Sequence, residues 1–189
     1  MTPPPTSLQR KPPISHFHHC PRCGAPYQHR AREPVLRCAH CAFTYYFNPA
    51  VAVAAFLEAP EGRWLFVRRA KEPARGKLAL PGGFVDYDET AERALHREIR
   101  EEVGLTVGAL HFLCSQTNHY DYRDVSYPVV DLFFTASTDP RQQAEALDGV
   151  AAIHWLTLSE IVDDELAFPS IRRAVGLLRQ LRRGTNTAR

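Results

Sequence analysis

No stretch of this chain approaches the 18 or more consecutive apolar residues that mark a membrane-spanning helix. The first residues, MTPPPTSLQRKPPISHFHH, contain no apolar run of the kind that forms the core of a secretory signal. These two absences argue against a membrane partner and read as a cytoplasmic protein. Acids are scarce at both ends: residues 1–50 hold six Lys or Arg against one acid, and residues 171–189 hold six Arg and no acid. The centre therefore carries 20 of the 21 acids but only 11 of the 23 bases. An acidic centre argues against a nucleic-acid groove and for a site that gathers cations. No internal repeat is present. At 189 residues, 44% hydrophobic and 23% charged, the chain suits one ordinary domain with a small appendage. That length can bury a sizeable core.

Four of the five cysteines stand as two C-x2-C pairs, Cys20/Cys23 and Cys38/Cys41, with 14 residues between the pairs. Paired knuckles at about this spacing suit tetrahedral zinc on thiolates. Four thiolates close the shell, so such a zinc is structural, with no position left for water or substrate. Gly24 follows the first knuckle, where the backbone turns tightly. His16, His18, His19 and His40 lie near enough in sequence to replace a ligand, and a redox disulfide is the competing reading. Cys114 stands alone in an apolar, strand-like segment and reads as a small core residue.

Residues 50–59 (AVAVAAFLEA) read as a buried strand, paired across the turn PEGR with a second strand over residues 64–70. Pro81-Gly82-Gly83 breaks regular structure ahead of a helix that Asp88 or Thr90 can cap and Gly104 can end. Glu89 and Glu92 suit its positive end. Within it, Leu95, Ile99 and Val103 form an apolar stripe. Glu98, Glu101 and Glu102, at i, i+3 and i+4, share an arc of roughly 100° on an adjacent face. Ala91 and Ala94 lie near that arc and leave room for a bulky group. Like charges at i, i+3 and i, i+4 cost a helix about 0.2–0.5 kcal/mol per pair. No base stands at i+4 from Glu98 to relieve them. A divalent cation would, and hard oxygen ligands suit Mg2+ or Mn2+. A solvated acidic face is the alternative.

Gly83, five residues, Glu89, seven residues, then Arg97-Glu98-Ile99-Arg100-Glu101-Glu102-Val103-Gly104-Leu105 matches every fixed position of the Nudix box. The chain thus resembles the Nudix hydrolases, which cleave a nucleoside diphosphate linked to a further moiety, X. The resemblance implies an α/β/α sandwich around a mixed sheet. It also implies divalent metals on Glu98, Glu101 and Glu102 with help from the Gly83 carbonyl, and an Arg97–Glu89 pair that orients those ligands. Asp148 stands near where relatives place an acid and is a candidate for the proton-accepting or substrate-binding group. A turn-forming Asp before Gly149 is its plainer reading.

The cysteine segment, running through FTYYFNP into the first strand, resembles the zinc ribbon of NADH pyrophosphatases. Those proteins carry S-Q-P-W-P-F-P-x-S after the box. Here the corresponding residues are SQTNHYDYRDVSYP, and the Trp-Pro-Phe-Pro core is missing. ADP-ribose or FAD pyrophosphatases with the same N-terminal module are similar too. ADP-ribose or a related adenine dinucleotide is therefore the expected substrate. NADH, NAD or an NAD-capped RNA end is the alternative, and a nucleotide-sensing regulator the non-enzyme one. Ribbon-bearing relatives are often dimers, which makes a homodimer an expectation.

The implied layout is a disordered tail over 1–17, a ribbon over 18–48, the Nudix domain over 49–183 and a flexible end over 184–189. Tyr120 and Tyr122 could stack on a base, with ordinary strand packing as the equal alternative. Residues 127–137 read as a strand, and residues 151–161 as a strand running into a short helix. Residues 170–183 read as an amphipathic helix with Ile171, Ala174, Val175, Leu178 and Leu181 on one stripe; its arginines read as a solvated face, with a nucleic-acid patch as the alternative.

Overall fold

The computed structural model describes residues 10–27 and 34–186, which fall into two compact units. The first takes residues up to Ala50 together with the hairpin tip His119–Pro128, and the second takes Val51–Asn118 and Val129 onward.

In the first unit, β1 (Val35–Arg37) and β2 (Thr44–Tyr46) pair antiparallel, with Leu36 opposite Tyr45. Its small core is Cys20, Leu36 and Cys38, with Phe17, Tyr27, Phe43 and Phe47 packed around it. The two knuckles repeat one hydrogen-bond pattern. Cys20 N–H donates to Ala25 O and Gly24 N–H to Cys20 O; Cys38 N–H donates to Phe43 O and Ala42 N–H to Cys38 O. Gly24 takes a left-handed conformation at φ 72°, and Ala42 takes its place in the second knuckle at φ 57°. A Cβ there costs about 1–2 kcal/mol. The segment expected as a disordered tail is structured where it is described: Pro13–His16 form a turn of 3-10 helix, and Lys11 bridges to Val125. Residues 1–9 of that tail lie outside the described residues.

The second unit is built on a mixed seven-stranded sheet of order β5-β4-β3-β8-β7, with β6 on β3 and β9 on β4. Its strands are β3 (Ala50–Glu58), β4 (Trp64–Arg69), β5 (Leu78–Ala79), β6 (Gly82–Phe84), β7 (His111–Tyr122), β8 (Val125–Ser137) and β9 (Val150–Leu156). Two helices, α1 (Ala91–Val103) and α2 (Pro169–Asn186), complete it. A continuous apolar run explains the central strand β4, which begins on Trp64, Leu65, Phe66 and Val67, all buried, in one core with Phe56, Leu95, Ile99, Phe133 and Val175. Cys114, half-buried on β7, packs against that core as the sequence suggests.

Two expectations need correction. Beyond β9 there is no helix over 157–161. Glu160 instead accepts from Thr157 N–H and hydroxyl, closing a turn, and a 3-10 turn follows at Asp163–Glu165. Leu181 is half-exposed, so the buried stripe of α2 ends at Leu178, while the helix itself runs past residue 183. The α2 arginines lie on an exposed face, as expected for Arg172, Arg173, Arg182 and Arg183, but several also hold partners. Arg173 donates to Gln116 and Thr117, and Arg179 to the carbonyls of Leu158 and Ile161 and to Asp163. Arg182 donates to Glu58 and lies 5.1 Å over the Trp64 ring. Long guanidinium arms let a basic helix fasten the sheet beneath it. Among the described residues, no helix is long and apolar enough to cross a membrane.

Candidate metal and catalytic centre

Helix α1 begins where Thr90 accepts from Arg93 N–H at 3.3 Å, so Thr90 and not Asp88 is the cap. It ends at Gly104, left-handed at φ 69°. Carbonyls of its last turn are satisfied by the loop before β9: Glu145, Leu147 and Asp148 donate their N–H groups to Val103, Glu102 and Glu101. Leu95, Ile99 and Val103 are fully buried, which fixes the rotation of the helix and turns its glutamates toward β6. Ala91 and Ala94 do not open the site. Ala94 is fully buried and Ala91 packs against the core, so their small size serves packing.

Two glycines let β6 approach α1. A Cβ on Gly83 would stand 2.3 Å from Glu98 Oε1, and one on Gly82 2.0 Å from the Val53 carbonyl of the paired strand. With those Cβ atoms absent, Glu98 lies against the strand backbone and Gly82 N–H donates to Glu102 Oε2 at 2.9 Å.

Arg97 organises the carboxylates. It grips Glu89 bidentately, Nε to Oε1 at 3.2 Å and Nη2 to Oε2 at 2.9 Å. Its Nη1 donates to Glu98 at 2.8 Å and to Glu101 at 3.3 Å, and Nη2 also reaches the Phe84 carbonyl. The like-charge repulsion across Glu98 and Glu101 is thus relieved by a base one residue before Glu98 and four before Glu101. Looking only at i+4 from Glu98 misses it. Arg97 holds Glu89 below the usual carboxylate range. Burial pushes Glu98 up against the pull of Arg97, and burial pushes Glu102 up to about 7 despite the Gly82 N–H.

Asp148 is exposed and paired with Lys71 at 2.8 Å, and the lysine keeps its carboxyl low. Tyr120 and Tyr122 lie in the hairpin tip that belongs to the first unit, and Arg123 sits 5.4 Å over the Tyr122 ring. Sequence reasoning missed the Gly82 N–H, the Phe84 carbonyl and Lys71. The Gly-Gly pair was the available signal for the first.

The cysteines form a second centre. Their four ligand atoms all lie within 4.8 Å of one another, with Cys20–Cys41 and Cys23–Cys38 sulfurs 3.7 Å apart. A tetrahedron with Zn–S of about 2.3 Å has an edge of about 3.8 Å, so the cage fits zinc. Backbone N–H groups of Cys41 and His40 draw the Cys38 thiol down to about 6. Although a backbone N–H from Ala25 favours its thiolate, burial and the neighbouring sulfurs push Cys23 up to about 12.

A NUDIX domain model matches residues 48–175. The ADP-ribose pyrophosphatase of Methanocaldococcus jannaschii is 46% identical over 63 residues, covering 33% of this chain and 37% of that protein. The NAD-capped RNA hydrolase NudC of Chromobacterium violaceum is 34% identical over 103 residues, covering 54% and 38%. The match thus spans little more than a third of these curated relatives. Among solved structures, a MutT NUDIX hydrolase from Burkholderia pseudomallei superposes with a TM-score of 0.60 at 29% identity, over 69% of this chain and 98% of that one. The NUDIX domain of Shewanella oneidensis NrtR, complexed with ADP ribose, gives 0.58 at 25%, over 70% and 88%. Since the domain match takes in well over half of the sequence, with α1 and β6 inside it, this chain belongs to the Nudix family.

Proposed function

We propose that the protein hydrolyses the pyrophosphate of a nucleoside diphosphate linked to X, with ADP-ribose or a related adenine dinucleotide as the preferred substrate. The observation that carries this reading is the close approach of β6 to α1, which sets the half-buried carboxylate of Glu98 against strand backbone that only glycine allows. The donor set is all hard oxygen: Glu98, Glu101, Glu102 and the Gly83 carbonyl. A Cβ at Gly83 would fill the cradle, and Glu102, with its pKa pushed up to about 7, is a carboxylate that a cation would hold ionised. Mg2+ or Mn2+ fits. When bound, it would neutralise the phosphate oxygens and activate the attacking water.

The remaining tasks fall to the protein's own groups. Arg97, anchored on Glu89, holds Glu98 and Glu101 until they are drawn to the cation, and is a positioning residue. Gly82 N–H fixes Glu102. Asp148, tied to Lys71 by its side chain and to the Glu101 carbonyl by its N–H, positions the loop over the end of α1. A carboxyl held low by a lysine is a poor proton acceptor. In the reaction, water oxygen bonds to one phosphorus and the bridging P–O bond breaks. ADP-ribose would give AMP and ribose 5-phosphate. The cysteines would hold one structural zinc.

The relatives named ADP-ribose pyrophosphatase and the ADP-ribose complex of NrtR support the adenosine end. Relatives named NAD-capped RNA hydrolase favour a second reading, in which NADH, NAD or an NAD-capped RNA end is cleaved. The test is kcat/KM for ADP-ribose, NADH, NAD+ and FAD with Mg2+ and with Mn2+. ADP-ribose is expected to lead, because its ribose requires no second aromatic pocket. A preference for NADH of about tenfold, or 1.4 kcal/mol in the transition state, would select the second reading. Binding of ADP-ribose without turnover of any substrate would make the protein a sensor.

A further inference from the structure

Within the first unit lies a cavity of about 400 Å3, walled by Phe17, Tyr45, Phe47 and Tyr127, with His16 and Asn48 on its lining. The rings meet edge-on. Phe47 stands 5.0 Å from Phe17 at 75° and 5.0 Å from Tyr45 at 78°. Edge packing of this kind leaves ring faces unstacked. Tyr45 remains 49% exposed and Tyr127 38%, so two large rings forgo burial where the chain could have placed polar residues. Phe17 and Phe47 also pack on the Cys20–Leu36–Cys38 core, so the cysteine cage props the inner wall.

A volume of this size, mostly apolar and aromatic with a few polar groups, is that of a small-molecule site. The charges select the ligand. Backbone bonds from Lys11 N–H to Asp124 O and from Ser126 N–H to Lys11 O pin Lys11 beside Val125, a wall of the same cavity. The Lys11 ammonium has no ion pair among the described residues, and Arg10 precedes it, held on Asp121 at 2.6 Å. The described residues of this unit carry five bases, Arg10, Lys11, Arg22, Arg37 and Arg123, against two acids, Asp121 and Asp124. Flat faces, the Asn48 amide, the His16 imidazole 4.0 Å from the Asp124 carboxylate and the nearby Lys11 match a nucleobase carried on a phosphate. An uncharged proline-rich segment would make no use of the cations.

We propose that this cavity binds a nucleobase through Tyr45 and Tyr127, with Lys11 taking the attached phosphate, at a site separate from the α1 carboxylates. The base could come from a free nucleotide or from a single strand. Zinc-loaded protein without added Mg2+ would be titrated with fluorescent AMP and with a labelled eight-nucleotide single-stranded RNA, reading anisotropy. Tyr45→Ala and Tyr127→Ala are each expected to weaken binding by roughly tenfold or more, with zinc content retained. Tyr45→Phe should change it less than threefold. Weakening of the AMP arm identifies a mononucleotide site, and weakening of the RNA arm alone identifies a strand site. Both alanine variants binding both probes like the wild type would overturn the proposal, as would capture of a proline-rich peptide with no affinity for either probe. Glu98→Gln separates the two readings: it should abolish turnover and leave this binding intact. Turnover retained by Glu98→Gln would sink the pyrophosphatase assignment without touching the cavity.

Discussion

The cysteine cluster and the α1 carboxylates proposed as a cation site differ in how far they are assembled. The four cysteine sulfurs already stand at tetrahedral spacing, placed by backbone hydrogen bonds that close each knuckle. The glutamates of α1 do not meet: Glu98 and Glu101 lean on Arg97 while Glu102 turns to Gly82 N–H. Thiols are poorly hydrated and lose little by crowding together, whereas carboxylates repel and hold their water. A thiolate cage can therefore stand closed in the folded chain, whereas the carboxylates proposed to take a cation rest on protein partners.

Removing zinc should break this contrast most severely. Structural zinc sites of this kind contribute on the order of 10 kcal/mol of apparent folding energy. Stripping the metal, or Cys38→Ser, is expected to unfold the first unit. Elemental analysis should show about one zinc per chain before treatment, and proteolysis should then cut within residues 10–50. A protein that holds no zinc when its cysteines are reduced would refute the closed cage.

Next is the loss of a carboxylate oxygen. Glu98→Gln or Glu101→Gln should lower kcat/KM by at least about a hundredfold, beyond what an orienting partner costs. The melting midpoint should stay equal or rise, since one repelling charge is gone. Wild-type turnover at saturating Mg2+ would remove that residue from the ligand set.

The pH dependence sharpens the comparison. Burial holds the folded pKa of Glu102 at about 7, above its unfolded value of about 4.3. A group raised on folding contributes stability that is complete below the unfolded pKa and lost as pH rises through the folded one. Metal-free protein should therefore lose this contribution between about pH 4.3 and 7. Glu102→Gln should flatten that slope in melting curves, and Mg2+ should restore stability at pH 8. A slope unchanged by the substitution would place the titration elsewhere.

The smallest effect belongs to the knuckle that lacks a glycine. Ala42→Gly should raise stability by about 1 kcal/mol, because φ 57° suits glycine without a Cβ clash. Denaturant unfolding of zinc-loaded protein would show it, and no change would mean that the Ala42 methyl offsets its strain by packing.

Much of the fold was legible because its determinants are local. The α1 stripe, a cap at Asp88 or Thr90, a left-handed end at Gly104 and the pairing of β3 with β4 all follow from periodicity and turn residues a few positions apart, and the structure settles the cap on Thr90. The partners of the α2 arginines and the exposure of Leu181 were not legible, because a helical period says which residues share a face but not what that face meets. In the same way, the repulsion among the glutamates was visible while its relief by Arg97 was misjudged.

The sequence by itself determined which atoms are available: four thiolates in two knuckles, three carboxylates on one helical arc, and an arginine and a glycine pair beside them. Covalent spacing and the helical repeat suffice for that. Only the tertiary structure decided where those atoms stand. The approach of β6 to α1 depends on a strand pairing, Val53 with Gly83 and Ala54 with Gly82, that brings residues about 30 apart within van der Waals contact. The burial that lifts Glu102 depends on the packing of α1 into a core drawn from the whole domain. Electrostatic shifts and close approaches are properties of distance and solvent exclusion, and no local stretch of chain sets either.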